Sequence, residues 1–347
     1  MRILYLGEGS DYSTSKHRAS ALQRLGHTVD LIDMRRLAGD LIGHPLWGKF
    51  HFHTGYEFLQ WRVHASLNKL QRSLNEKYDV VWVNSGELLG AACVKSLLGL
   101  ANASILYIND DPTGGRDGAR FRSLRRAISQ YSLAVVVRRD NEIDFANRKA
   151  QRVLRVFMSY DEIAHAPLNT GEPIPSNFRS EIAFLGTWMR REGRHEFVDH
   201  LINAGLRVNI WGDRWHKAPN WKNLKPFWKG PGMGGREYVA AIQGAKICLG
   251  LLSKGNRDLH TTRSAEIPYA GGLLCAERTS EHLQMYRENE DAVFWSTPAE
   301  CIAVCKRLLE DDTERARIRQ NGMRRVRELK VGNEDIARQV LAEVAKL

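Results

Sequence analysis

Short apolar, β-branched runs recur along this chain, and stretches of helical periodicity separate them. "RILYLG" (2–7), "TVDLID" (28–33), "DVVWVN" (79–84), "SILYIN" (104–109), "LAVVV" (133–137) and "RVLRVF" (152–157) each read as a buried strand. "SKHRASALQRLGH" reads as a helix stopped by Gly26, and "EFLQWRVHASLNKLQRSLNEK" as a long amphipathic helix. Strands that alternate with helices imply a parallel sheet covered on both faces. Residues 40–56 are less regular.

The alternation stops at "HAPLNTGEPIPSNFRS" (165–180), whose three prolines, glycine and polar residues read as a linker. It then restarts with "EIAFLG" (181–186), "RVNIWG" (207–212), "KICLGLL" (246–252), "GLLCA" (272–276) and "AVFW" (292–295), with helices near 192–204, near 235–244 and after 262. Residues 298–330 read as two helices and 334–346 as a last one. The expected architecture is therefore α/β, with two doubly wound Rossmann-like domains facing a central cleft. We assign 1–168 to an N-terminal domain, 169–180 to a linker and 181–332 to a C-terminal domain. The helix in 333–347 is expected to pack back toward the N-terminal domain. Ligands of such sheets sit outside the carboxyl ends of the strands, which makes the cleft the default site.

Composition narrows the classes. Hydrophobic residues make up 43% of the 347, enough for sizeable cores. No stretch approaches the roughly 18–20 apolar residues of a membrane span, and "MRILYLGEGS" has too short an apolar run for a signal peptide. The five cysteines form no C-x-x-C pair, which fits a reducing cytoplasm, and Cys301 and Cys305 at i,i+4 read as core packing. The formal charge is +11, and residues 120–155 hold ten Arg/Lys against three acids. That suits an anionic partner (phosphate, acidic glycan, membrane surface or nucleic acid), and a solvated basic face is the equal alternative.

No familiar cofactor motif is complete. "LGEGSDY" supplies Gly7-x-Gly9, but Tyr12 stands where G-x-G-x-x-G needs its third glycine, so no dinucleotide cofactor is expected. Gly9 then serves a tight turn or a close approach to substrate. "HEFVDH" places His200 five residues after His195, off the face an H-E-x-x-H site requires, and "HFH" (51–53), two histidines sharing one side of a strand, lacks a third ligand. No metal site is expected.

The positive signals lie in the second half. After "EIAFLG", Gly186 leads into "TWMRREGRHEF", which puts Arg190, Arg191 and Arg194 at or near a helix start. A helix N-terminus attracts anions and disfavours cations, so arginines there imply a bound phosphate. Trp211-Gly212 ends the next strand, and "FWKGPGMGG" (227–235, with Gly230) is a loop into a helix; both can line a flat base. "TTRSAE" then places Thr262, Arg263 and Glu266 in one first helical turn. Arg263 is suited to a diphosphate and Glu266 to the two hydroxyls of a ribose. Pro268 shortens or kinks that helix.

"NRDLHTTRSAEIPYAGGLLCAERTSEH…NEDAVFW…AECIAVCKRLLEDDTERARIRQNGMRRV" resembles the donor-binding half of GT-B glycosyltransferases, closest to the CgeB-like (spore-maturation type) group-1 family. "YINDDPTGG" (107–115) and "VVVRRDNEIDFANRKAQRVLRVFMSYDEIAHAP" (135–167) resemble that family's N-terminal half. Where that group has an apolar or small residue, this chain has Pro268. A more distant likeness is to the DNA β-glucosyltransferases of T-even phages, in "GTWMRREGR", in Arg263-x-x-Glu266 and in the aspartate of "YINDDP". The resemblance implies a nucleotide-diphosphate sugar donor, UDP-linked by expectation, with Arg190 or Arg191, Arg194 and Arg263 on phosphate and Glu266 on ribose.

The implied reaction is metal-independent sugar transfer to an acceptor hydroxyl. Asp110 is the candidate base and Asp111 its rival. His17, Arg18 and Asp11 are candidates for acceptor contact. The acceptor stays open among anionic glycan, lipid, protein and nucleic acid, with peripheral membrane contact compatible with any of them. A non-catalytic nucleotide-sugar or glycan-binding protein, or a nucleotide-sugar epimerase on the same fold, are the competing readings.

Overall fold

The computed structural model describes residues 1–73, 76–169 and 171–347. Leu74 and Asn75 of the expected long helix, and Thr170 of the expected linker, lie outside them. The chain divides into two compact units. The first comprises Met1–Phe157, Gly255–Arg257 and Asn333–Leu347; the second comprises Met158–Lys254 and Asp258–Gly332.

The first unit holds a six-stranded sheet of β1 (Arg2–Gly7), β2 (Thr28–Asp33), β3 (Tyr78–Asn84), β4 (Ala101–Ile108), β5 (Leu133–Val136) and β6 (Val153–Arg155). All neighbours pair in parallel, in the order β2-β1-β3-β4-β5-β6. Ile3–Leu6 and Val80–Val83 are buried without interruption, as continuous apolar runs covered on both faces must be. The helices Gln60–Ser73 and Ala91–Leu98 supply Val63, Leu67, Cys93, Val94 and Leu97 to one face of this core. Helix Asn333–Val344 packs on helix Thr14–Arg24, and Arg24 Nε donates to Glu334 at 2.7 Å.

The second unit holds β7 (Ser180–Leu185), β8 (Val208–Trp211), β9 (Trp228–Gly230), β10 (Ala245–Gly250), β11 (Leu274–Glu277) and β12 (Val293–Trp295). Again every pair is parallel, now in the order β12-β11-β10-β7-β8-β9. Counted from its own first strand this is the dinucleotide-fold order, which reverses between β7 and β10. The first sheet has the flavodoxin-like order and reverses between β1 and β3. The carboxyl ends of those two strand pairs are where each sheet can receive a ligand.

Two expectations change. Residues 45–53 form a helix, Pro45–His53, rather than an irregular stretch with a strand-like "HFH". Pro45 opens it, and His44 Nδ1 caps it by accepting from the amides of Leu46 and Trp47. His51 is consequently buried and His53 exposed, so they share no face for a metal. The short strand β9 and the helix Ser280–Met285 were not anticipated. No helix among the described residues is long and apolar enough to cross a membrane.

Candidate functional site

At the carboxyl end of the second sheet, three strands end one step apart. The Gly186 amide donates to Trp211 O at 2.8 Å, and the Gly212 amide donates to Gly230 O at 3.0 Å. Two indoles hold the glycine carbonyls: Trp215 Nε1 donates to Gly186 O at 2.8 Å and Trp228 Nε1 to Gly212 O at 2.9 Å. A Cβ on residue 212 would lie 2.0 Å from Gly186 O, so only glycine lets these backbones meet. Leu185, Gly186, Thr187, Trp211, Gly212, Gly232, Met233, Tyr238 and Arg263 line a small cavity of about 50 Å³ there. The structure thus brings together Gly186, Trp211, Gly212 and Arg263, and it leaves Gly230 behind Gly212 as a backbone partner.

Two guanidiniums bracket the switch between β7 and β10. Arg194, the first residue of helix Arg194–Asn203, donates to Thr187 O (2.8 Å) and to Leu252 O (3.2 Å). Arg263 Nε donates to Leu185 O at 2.7 Å. Both bond to backbone carbonyls, and among the described residues neither has a carboxylate within ion-pair distance. Burial lowers the pKa of Arg194, and the nearby Arg263 charge lowers it further, against the pull of Glu192, Asp258 and Glu277. Two guanidiniums that repel each other in a half-buried place form a ready anion site. Arg190 and Arg191, by contrast, sit exposed in the loop before Gly193.

Beside Arg194 lies a second cavity of about 240 Å³, lined among others by Glu192, Leu252, Lys254, Glu277 and Trp295. Glu192 is buried there, accepting from Ser253 Oγ at 2.9 Å and from the Lys254 amide at 2.7 Å. Sequence reasoning missed Glu192, Lys254 and Tyr238. Of the three, only Lys254 stands close to a strand end, four residues after β10.

Helix Thr262–Tyr269 carries Arg263 on a fixed polar base. The Thr261 amide donates to Ser264 Oγ at 3.0 Å, and Ser264 Oγ donates to His282 Nε2 at 2.8 Å. His282 Nδ1 in turn donates to Glu277 O at 2.6 Å, and burial holds this imidazole neutral, with its pKa lowered to about 4. Glu266 is buried and bonds away from Arg263: its Oε2 accepts from Tyr238 OH at 2.7 Å, and its Oε1 stands 3.8 Å from His165 Nε2. Arg263 and Glu266 are therefore no surface ion pair. Burial, and then the Glu266 carboxylate, raise the Tyr238 phenol well above its ordinary pKa and keep it a donor. Thr262, the first residue of the helix, is half-buried.

Pro268 fits this helix for a specific reason. It lacks the amide that would bond the Ser264 carbonyl one turn back, and Tyr286 OH donates to that carbonyl instead, at 2.6 Å. The helix closes at once, as the Ala270 amide bonds Glu266 O and the Gly272 amide bonds Ile267 O.

The first unit has its own cavity, about 320 Å³, at the β1/β3 switch. Glu8, Asp33, Asn84, Ser85, Glu87, Asn109, Asp110 and Arg120 are among its lining residues. Asp110 reaches it from the end of β4, ion-paired with Arg120 (3.0 Å) and Arg116 (3.6 Å). Glu87 also pairs with Arg120. Burial raises the Glu87 carboxyl above the ordinary carboxylate range, against the pull of that guanidinium.

Asp111 does not join this cavity. It is buried and accepts from Arg257 Nε (2.6 Å), Asn141 Nδ2 (2.7 Å) and the amides of Thr113 and Gly114. These bonds hold its carboxyl far below the usual range despite its burial. With its acceptor positions filled, Asp111 anchors the loop and has little basicity to offer. Gly9 bonds Asp33 through its amide at 3.4 Å, and half-buried His17 lies on helix Thr14–Arg24 outside the cavity lining.

Residues 190–342 match the family model described as Glycosyl transferase-like. The matched stretch takes in both Arg194 and Arg263. The chain as a whole has the GT-B fold, shared with three solved structures. Sucrose-phosphate synthase of Thermosynechococcus elongatus superposes with a TM-score of 0.71 at 13% identity, over 100% of this chain and 98% of that one. HepE of Anabaena, solved in complex with UDP-glucose, gives 0.68 at 11%, over 100% of both chains. An α,α-trehalose-phosphate synthase (UDP-forming) of Burkholderia xenovorans, in complex with glucose-6-phosphate, gives 0.65 at 14%, over 100% of both. No curated protein matches the chain in sequence.

Among the described residues, one group of thiols could hold a metal ion. Cys275, Cys301 and Cys305 bring their sulfurs within 4.8 Å of one another, in the core of the second unit. All three are buried among apolar side chains, and none lines the three cavities described above.

Proposed function

We propose that this chain is a glycosyltransferase that moves a sugar from a UDP-linked donor to an acceptor hydroxyl. The observation that carries the reading is the pair Arg194 and Arg263 at the β7/β10 switch, whose hydrogen-bonding partners among the described residues are backbone carbonyls. A diphosphate supplies the missing negative charge. As the sugar leaves, charge grows on that diphosphate, and the two guanidiniums with the first-turn amides of helix Thr262–Tyr269 stabilise it. That is the charge a divalent ion would otherwise neutralise, which supports metal-independent transfer. The base lies over Trp211 and Gly212, and the ribose meets Glu266 together with Tyr238. Complexes of HepE with UDP and with UDP-glucose support a uridine donor by analogy of fold. The motifs of the donor half support a relationship to the CgeB-like group.

Asp110, at the strand end lining the first unit's cavity, takes the proton from the acceptor hydroxyl as that oxygen bonds the anomeric carbon. Such a base fits inversion at that carbon. Glu87 is the alternative, because its raised pKa suits a proton acceptor better. Calorimetry against a panel of nucleotide-diphosphate sugars tests the donor. UDP and a UDP-sugar should bind, and Arg263→Ala should abolish binding. Failure of every nucleotide-diphosphate sugar to bind would sink the reading.

A further inference from the structure

Two consecutive helices of the first unit turn apolar side chains outward. Helix Pro45–His53 buries His51 yet exposes Leu46, Trp47 and Phe50. In the next segment Leu59, Val63 and Leu67 recur every four residues and fill the core, while Phe58 and Trp61 point to solvent. These five side chains are 43–74% exposed. Amphipathic periodicity explains the buried set and leaves the outward set without a role in folding.

The outward set is one surface. Phe50 meets Trp47 edge-on at 6.0 Å and stacks on Phe58 at 5.4 Å, so the aromatic contacts run from one helix into the next. Trp61 follows Phe58 by three residues, about one helical turn. Five of the fourteen exposed large apolar side chains among the described residues fall in this short segment. A patch this concentrated marks an interaction site, whereas single exposed apolar residues need no explanation.

Its charge selects the partner. Residues 34–73 hold Arg35, Arg36, Lys49, Arg62, Lys69 and Arg72 against Asp40 and Glu57. Lys49, Lys69 and Arg72 are exposed. Glu57 is itself covered by Arg122 (3.4 Å) and by Arg126, which are both exposed. Exposed tryptophans and phenylalanines on a segment with surplus cations fit the boundary between lipid headgroups and acyl chains. A two-fold contact between copies would instead set like charges against each other.

We propose that this face docks the chain on an anionic bilayer surface, with Trp47, Phe50, Phe58 and Trp61 entering the headgroup layer. Cosedimentation of the full chain with phosphatidylcholine vesicles, with and without phosphatidylglycerol, tests it. Binding should require phosphatidylglycerol, fall with salt, and shift tryptophan emission to the blue. The double variant Trp47→Ala/Trp61→Ala should bind at least about tenfold more weakly, and Lys49→Glu at least about fivefold. UDP binding should stay unchanged in both, which separates this inference from the donor assignment. Undiminished vesicle binding by the double variant would overturn the proposal. So would a chain that ignores vesicles and forms a dimer that the double variant dissolves.

Discussion

The two units use arginine in opposite ways. In the first, Arg120 pairs with Glu87, Asp110 and Asp117, and Arg257 pairs with Asp111 and Asp144. In the second, Arg194 and Arg263 bond, among the described residues, to backbone carbonyls at or just past strand ends. A directly bonded carboxylate quenches most of a guanidinium's field, while a carbonyl leaves more of it for a ligand. The segment 120–155 illustrates the lesson. Its surplus of ten basic residues over three acids suggested an anion site. In the fold, Arg122 and Arg126 pair with Glu57, Arg152 with Glu343 and Arg155 with Glu142. Local basicity in sequence therefore says little about free positive charge in space.

The contrast can be broken or sharpened by substitution. Asp110→Asn is expected to lower turnover about 10²–10⁴-fold and to leave UDP binding intact in calorimetry. Should Glu87→Gln carry that loss instead, the base belongs to Glu87. Arg263→Ala should weaken UDP at least about 30-fold, the cost of removing a half-buried charged donor, whereas Arg120→Ala should leave UDP affinity unchanged. Equal weakening by both would erase the distinction between the units.

Asp111→Ala should cost about 1–3 kcal/mol in urea unfolding, because Asn141 and the amides of Thr113 and Gly114 would lose their acceptor. The Asp111 carboxyl titrates lower when folded than when unfolded. Its stabilisation is thus complete above the ordinary aspartate pKa of about 4 and drains away as pH falls below it. The urea midpoint of the unmodified chain should drop over that acid range more steeply than that of the variant. Gly212→Ala should destabilise by about 1–3 kcal/mol through overpacking against Gly186 O, and should also weaken UDP.

The smallest effect is expected at Tyr286→Phe. Leaving Ser264 O unbonded should cost about 1–2 kcal/mol. In a Pro268→Ala background the restored amide can serve that carbonyl, so the loss should shrink. A double-mutant cycle with no coupling would show that the hydroxyl and the proline are unrelated.

Much of the fold was legible because a fully buried parallel strand must be an unbroken apolar run. Eleven of the twelve strands coincide with such runs; β9, "WKG", has no apolar run to betray it. The helix Pro45–His53 was misread because its exposed face is aromatic, so the usual polar stripe is missing. On the donor side, helix starts and glycine turns pointed correctly to Gly186, Trp211, Gly212 and Arg263 as neighbours. Glu192, Tyr238 and Glu87 gave no local signal, since each acquires its environment from strands distant in sequence.

By itself, then, the sequence determined two parallel α/β sheets and the strand ends at which their ligands must sit, because burial on both faces and helix–strand alternation are local patterns. Only the tertiary structure decided which charges remain available. Asp111 became an anchor when Arg257 reached it, Asp110 stayed at a cavity, and Arg194 and Arg263 kept their charge because the fold gave them carbonyls. Pairing is a matter of a few ångströms across separate segments, and no spacing along the chain encodes it.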